Sequence, residues 1–410
     1  MTWTGYDLFA RALGHLCIEG GNPGRHLQSV GTVALGLVVC SDCALAADYS
    51  QGENSIIRSI VAVSRRTRAA LKAVPLPALA LLLALFLALA INNAVPSPAV
   101  AAITQRGYTW ATTNNANLTI SKPAGVVAGD VMIVNIAKVG NNTTAPSSNA
   151  WSLIDGRSLG GGTARYGAVL YKVASVSEPA SYTFALGLGT TGAVGSIVAF
   201  YNIDTSGATP FDVAPGTISV QPNQTAVVAT AITTASANAA VIMFGMAANS
   251  GPTWNDGAWS TTSPGPLTEL YDCQLATASV GAAWATKATA GATGAGAATL
   301  SAAQRNGGIL IALKPLTPTT LNVAAATGNY GATTSLTATL SPAMAGKTIS
   351  FTLNGVAAGT AVTDGSGVAN IPAASLAGIN AGSYPTGAGA SFAGDAGCQA
   401  SSGTASLTIN

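Results

Sequence analysis

Eight carboxylates lie between residues 130 and 272: Asp130, Asp155, Glu178, Asp204, Asp212, Asp256, Glu269 and Asp272. Two carboxylates roughly 5–10 Å apart across a cleft hydrolyse glycosidic bonds, so residue type alone leaves that chemistry open. Most of the eight stand beside Gly or other turn-forming residues, however, where Asp is favoured by its own backbone hydrogen bonding. Asp204 and Asp212 flank "TSGATPF" and, with backbone carbonyls, form a candidate calcium site. The leading candidate for recognition is "GPTWNDGAWSTTSPGPLTELYD" (251–272), in which Trp254 and Trp259 bracket Asn255, Asp256 and Gly257. An exposed indole beside an amide and a carboxylate stacks a sugar ring and fixes its hydroxyls. The competing reading is that one or both indoles plug the end of a core. Trp110, Trp151 and Trp284 sit in strand-like runs and are expected to pack.

Other chemistries are excluded by composition. The two histidines are His15 and His26, so the chain after Ala102 has no imidazole. Ser-His-Asp and Cys-His machinery, and zinc sites that include His, need that imidazole. After Ala102 two cysteines remain, Cys273 and Cys398, too few for a four-cysteine zinc site. They are a candidate disulfide if their Cα atoms come within roughly 7 Å; free thiols and intermolecular pairing are the alternatives. Cys40-Ser-Asp-Cys43 is a single C-x-x-C without a second pair. Gly187-Leu-Gly189-Thr-Thr-Gly192 matches G-x-G-x-x-G, but "AVGSIVAFYNID" after it reads as a strand, where the dinucleotide motif needs a helix. "AMAGKT" (343–348) lacks the upstream Gly of a phosphate loop. No cofactor is expected, calcium apart.

Charged residues make up 8% of the chain, against about 25% in ordinary soluble domains. From Ala102 onward ten basic and ten acidic residues balance, so the net +2 arises upstream. A neutral body without basic clusters argues against nucleic acid as a partner.

The surplus charge crowds before an apolar run. Arg58, Arg65, Arg66, Arg68 and Lys72 precede Ala78–Ile91, and Ala99-Val100-Ala101 follows. The run is shorter than the roughly 17–25 residues of a spanning helix and suits a signal h-region of roughly 7–15. A cleaved signal over 61–101, with the mature chain starting at Ala102, is favoured over an uncleaved anchor or a buried core helix. Membrane contact is then confined to export. Residues 1–60 show neither strand nor helix periodicity and read as a non-native or disordered extension.

After Ala102, short apolar or alternating runs are broken by Gly, Pro, Asn and Asp, the pattern of an all-β chain. Strands are expected within 116–140 and at 164–174, 181–187, 194–204, 225–234, 239–248, 279–288 and 307–314. Several are apolar on both faces, as where sheets pack on each other. Together they predict a large β-sandwich, jelly-roll-like, over 102–314. "KPLTPTT" reads as a stiff linker around 315–321. Over 322–410 the alternation is cleaner: Leu336, Ala338 and Leu340 share one strand face, as do Ile349, Phe351 and Leu353. "TDGSGVANI" (363–371) reads as a hairpin.

The stretches "GATTSLTATL", "GKTISFTLNG", "TDGSGVANI" and "AGSYPTGAGASFAGDAGCQASSGTASLTI" resemble a bacterial Ig-like repeat domain of secreted surface proteins. Cys398 stands where such domains carry an aromatic. "KPAGVVAGDVMIVNIA", "AWSLID", "AVLYKVASVSEPASYTF" and "GSIVAFYNID" resemble a β-sandwich of phage tail-associated and bacterial surface proteins. These resemblances imply display, spacing or adhesion and bring no catalytic residue with them.

The expected function is therefore a secreted or surface-displayed, non-catalytic protein for adhesion or presentation. Its partners would be an extracellular glycan or a host or cell-surface protein, or copies of itself in a larger surface structure. A carbohydrate-binding or carbohydrate-degrading exoprotein using the Trp254/Trp259 loop and a structural stalk are the alternatives. Mass spectrometry of the mature product should find its N-terminus at Ala102; a product that retains residues 1–101 would overturn the assignment of the leader.

Overall fold

The computed structural model describes residues 101–161, 164–248, 251–255 and 257–410. The extension 1–60 with Cys40 and Cys43, the signal segment up to residue 100, and Asp256 lie outside the described residues. Those described are all-β, with no helix among them.

The first module comprises two runs of seven strands. The first run is β1 (Thr104–Thr113), β2 (Asn117–Ser121), β3 (Val131–Gly140), β4 (Ser152–Ser158), β5 (Ala164–Val173), β6 (Ser181–Ala185) and β7 (Thr190–Tyr201). The second is β8 (Ser219–Ala229), β9 (Thr233–Thr234), β10 (Ala239–Ala248), β11 (Thr268–Leu275), β12 (Ala278–Lys287), β13 (Gly291–Ala292) and β14 (Gly296–Leu313). In the first run a five-stranded sheet has the order β1-β7-β3-β5-β4 and β2 pairs with β6; in the second, the order is β8-β14-β10-β12-β11 and β9 pairs with β13. Strand for strand these orders coincide, so the module is an internal duplication. Even a local irregularity recurs: β4 is bulged between Leu153 and Asp155, and its counterpart β11 between Glu269 and Tyr271. The repeat was not visible as sequence, because the two runs share pattern and not residues.

The two five-stranded sheets pack face to face. Ile133, Val169, Val198 and Phe200 of one meet Ile242, Phe244, Val280, Ile309 and Ile311 of the other in one apolar cluster. Each sheet is also covered on its outer face. Leu118 and Ile120 of β2 and Tyr182 and Phe184 of β6 lie against Met132, Val134, Ile136 and Ile197. Trp254, Trp259 and Leu267, from the segment between β10 and β11, lie against Val241, Met243, Ala283 and Leu310. Central strands enclosed on both sides have no wet face, which is why β3 and β10 are buried along their whole length and read as unbroken apolar runs.

One polar side chain ties the inner faces together. Asn135 of β3 is fully buried; its Nδ2 donates to the carbonyls of Gly245 (3.1 Å) and Gly281 (3.3 Å) in the opposite sheet. Its Oδ1 accepts from the Tyr271 hydroxyl of β11 at 2.6 Å. Burial holds that phenol well above its ordinary pKa, so it remains a donor.

The C-terminal module contains β15 (Thr320–Val323), β16 (Ala326–Gly328), β17 (Thr333–Ser341), β18 (Thr348–Leu353), β19 (Val356–Val362), β20 (Val368–Ser375), β21 (Gly382–Phe392) and β22 (Ser401–Ile409). Its sheets have the orders β15-β17-β20 and β16-β22-β21-β18-β19, with β16 and β22 parallel. Between them Leu336, Leu340, Ile349, Phe351, Phe392 and Leu407 form one core. Tyr384, at the start of β21, donates its hydroxyl to the Asn380 carbonyl at 2.8 Å, pinning the preceding corner. The turn at Asp364–Gly367 does not make the expected hairpin: β19 pairs with β18 and β20 with β17, so it joins strands of different sheets.

The Pro/Thr segment is extended but not free-standing. Pro315 bridges to Ile203, Thr317 pairs with Gly397 and Gln399, and β15 begins at Thr320. The Thr205 amide donates to the Ala396 carbonyl at 2.9 Å, and Lys314 pairs with Asp204 at 2.7 Å. Gln399 exchanges two hydrogen bonds with the backbone of Ala101. The turn at 395–399 is thus wedged against the first module.

Asn135→Ala is expected to lower the unfolding free energy by about 2 kcal/mol or more, because Tyr271 and two carbonyls lose their partner in a dry site. Urea denaturation measures this; a loss below about 0.5 kcal/mol would show that the tie is dispensable.

Candidate functional site

The Trp254/Trp259 platform expected to meet a ligand is turned inward. Both indoles are buried and stack on one another, ring centroids 5.0 Å apart. They fit because Gly245 and Gly281 are register partners on adjacent strands. A Cβ on Gly245 would lie 2.4 Å from the Trp254 ring, and one on Gly281 would lie 2.8 Å from Trp259. A face closed by these glycines cannot also stack a sugar, which corrects the recognition reading of this loop. Asn255 is exposed, and its amide donates to the Thr299 carbonyl. Asp256 lies outside the described residues.

Six of the eight carboxylates are engaged in local structural roles. Asp130 accepts from Arg106 at 2.6 and 3.1 Å and from the Val127 amide. Asp155 accepts from Arg157 and from the Ile218 amide, and Asp272 from the Trp254 amide. The calcium reading of Asp204 and Asp212 is likewise corrected. Asp204 already faces a cation, Lys314, and accepts from the Ser206 amide and hydroxyl; burial works against its charge, but these partners hold its pKa below the ordinary value. Asp212 caps the Ala235 and Ser236 amides. Among the described residues no three His, Cys, Asp or Glu side chains gather.

Cys273 and Cys398 are not bridged; both are free and buried. They belong to the cores of different modules. Burial pushes the Cys273 thiol up to about 12, so it is inert as a nucleophile. Cys398 Sγ lies 3.5 Å from Met344 Sδ.

A shallow cavity of about 210 Å³ opens between β4–β5 and the loop at 205–210, lined by Ser152, Tyr171, Lys172, Thr205 and Thr209 among others. Lys172 is ion-paired with Glu178 at 3.2 Å. Although burial opposes its charge, hydrogen bonds from Ser175, Tyr182 and Lys172 bring the Glu178 carboxylate down to about 2. The pair is a satisfied structural unit.

Two features escaped the sequence reading. Lys138 of β3 is 1% exposed, and among the described residues it has no carboxylate partner. Its ammonium donates to Asn142 Oδ1 at 2.5 Å and to the Leu186 carbonyl. Asn142 is itself held by the Leu188 carbonyl and Thr190 Oγ1. The glycine motif at 187–192 thus forms part of a lysine pocket and leads into strand β7. The second feature is on β1, the edge strand of its sheet. Tyr108 is 44% and Trp110 is 50% exposed. Trp110, expected to pack, lies open instead. The Tyr108 ring sits 5.3 Å from that of Tyr271, the residue bonded to Asn135. The spacing Tyr-x-Trp in "GYTWATT" was the available signal, since alternate residues of a strand share a face.

Comparison of the chain with family models, with curated proteins and with solved structures returned no match.

Burial lowers the Lys138 pKa to about 8. Between about 8 and its ordinary value the unfolded chain binds more protons than the folded one, so this group makes stability rise with pH across that window. Lys138→Met should remove the rise: the stability of wild type relative to the variant should increase from pH 8 to pH 10, measured by urea denaturation. A pH-independent difference would show that the ammonium keeps its ordinary pKa.

Proposed function

We propose that the protein is a secreted or surface-displayed, non-catalytic protein for adhesion or presentation, in which a bacterial Ig-like module holds a larger β-sandwich in a fixed pose. The observation that carries this reading is the junction between the modules. Lys314 and Asp204, Thr205 and Ala396, Thr317 with Gly397 and Gln399, and Gln399 with Ala101 hold the two bodies from several sides. Domains joined by a bare linker move independently by default. A spacer that transmits position needs the opposite, hydrogen bonds on both flanks of the connection.

The Ig-like identity of residues 322–410 is supported by the three- and five-stranded sheets, by a first strand divided between them, and by the Tyr384–Asn380 corner. A tyrosine hydroxyl pinning the chain a few residues upstream at this place is a hallmark of immunoglobulin-like sandwiches. The signal-like segment before Ala102 supports export. Asp130, Asp155, Glu178, Asp204, Asp212 and Asp272, held by local partners, favour binding over hydrolysis.

An antibody raised against residues 102–410 should label intact cells or recover the protein from the medium, and excess purified protein should reduce attachment of the parent cells several-fold. Antigen confined to the cell interior, or attachment unchanged by the competitor, would overturn the reading.

A further inference from the structure

The duplicated first module has two pairs of edge strands, β1 with β11 and β8 with β4; β1 runs against β11, and the residue before β8, Ile218, reaches β4. At the β8/β4 pair the exposed apolar residues are aliphatic, Leu153 and Val220. The Ile218 amide donates to Asp155 at 2.7 Å, and its side chain is buried together with Leu159. At the β1/β11 pair, Tyr108 and Trp110 stand half exposed. The duplicated plan thus carries aliphatic side chains at one pair of edges and two open aromatic rings at the other, so the aromatic pair is not dictated by the strand order.

We propose that the Tyr108–Trp110 ledge is a binding site for a neutral polysaccharide, with sugar rings lying along the edge strand. Residues two apart on a strand project to the same side, about 6.6–6.8 Å from one another. Rigid aromatic faces at that interval offer two stacking positions to one extended chain. Tyr108 rests on Tyr271, which is fixed in turn by Asn135, so the ledge is organised before any ligand arrives. Thr112 is exposed at the next alternate position and adds a hydroxyl that donates and accepts.

Charge and area select the ligand class. The nearest ionic group along the strand, Arg106, is spent: its guanidinium is bidentate on Asp130 and lies 4.3 Å over the Tyr201 ring. The one cation on β1 is therefore already neutralised and is not available to attract an acidic chain. About half of each aromatic side chain is open, on the order of 200 Å² together when such side chains carry about 150–250 Å² each. A stable protein interface needs roughly 800 Å² from each partner. The ledge is too small for a second copy of this chain and suits a pair of sugar rings. The inference is independent of where the protein is displayed, because it concerns binding by the purified chain.

The test uses protein purified from cells expressing all 410 residues, incubated with cellulose, chitin, amylose and heparin beads. Retention on at least one of the three neutral polymers is expected, falling about tenfold or more in Trp110→Ala with an unchanged thermal midpoint. Tyr108→Ala should reduce retention similarly, and because it uncovers Tyr271 it should also lower the midpoint. Absence of retention on all three neutral polymers, retention on heparin alone, or equal retention by Trp110→Ala would overturn the proposal. So would a dimer seen by light scattering and lost in Trp110→Ala, which would assign the ledge to a second copy.

Discussion

An interior built from aliphatic side chains drives two sheets together without saying where along each strand they should meet. In the first module that direction comes from Asn135. It reaches out of β3 to two carbonyls of the facing sheet and receives the hydroxyl of Tyr271. Slipping the facing sheet by one residue would strand all three partners in a medium where an unmade hydrogen bond costs about 1–3 kcal/mol. Much else follows from this registration. It sets Gly245 and Gly281 in place, and their outward sides are the trough that receives the two indoles. It also fixes Tyr271, on which the outer aromatic pair rests.

The layering explains how a chain so poor in charge remains well packed. Each central sheet is covered twice, once by its duplicate and once by a local cover: the β2–β6 pair on one side, the Trp-bearing segment on the other. The covers differ in kind because the sheets beneath them differ. On one outer face Trp151, Tyr182 and Phe184 pack edge to face over the sheet, whereas on the other the glycines admit two stacked tryptophans. The duplication thus conserves strand order while the two covers are built from different segments and different aromatic packing.

What the amino acids made legible was local. The run 239–248 coincides with β10, and 164–174 and 279–288 lie within a residue of β5 and β12, because strands enclosed on both faces are written as continuous apolar residues. Strands rich in Thr, Ser and Gln, such as β1 and the beginnings of β8 and β14, carry no such mark. The fate of Trp254 and Trp259 was not local either. It depends on an absent Cβ at two glycines, one of them far along the chain, and burial of an indole is decided by what it meets. The calcium reading failed for the same reason: the cation that answers Asp204 is Lys314, distant in sequence and adjacent in space.

The repeated seven-strand plan bears on how the polypeptide reaches its final state. Neither run can hide its inner sheet by itself. A chain emerging from the ribosome carries Ile133, Val169, Val198 and Phe200 on an uncovered surface until Ile309, Ile311 and Leu313 have been made. Closure therefore comes late in synthesis, once the second run of strands is complete.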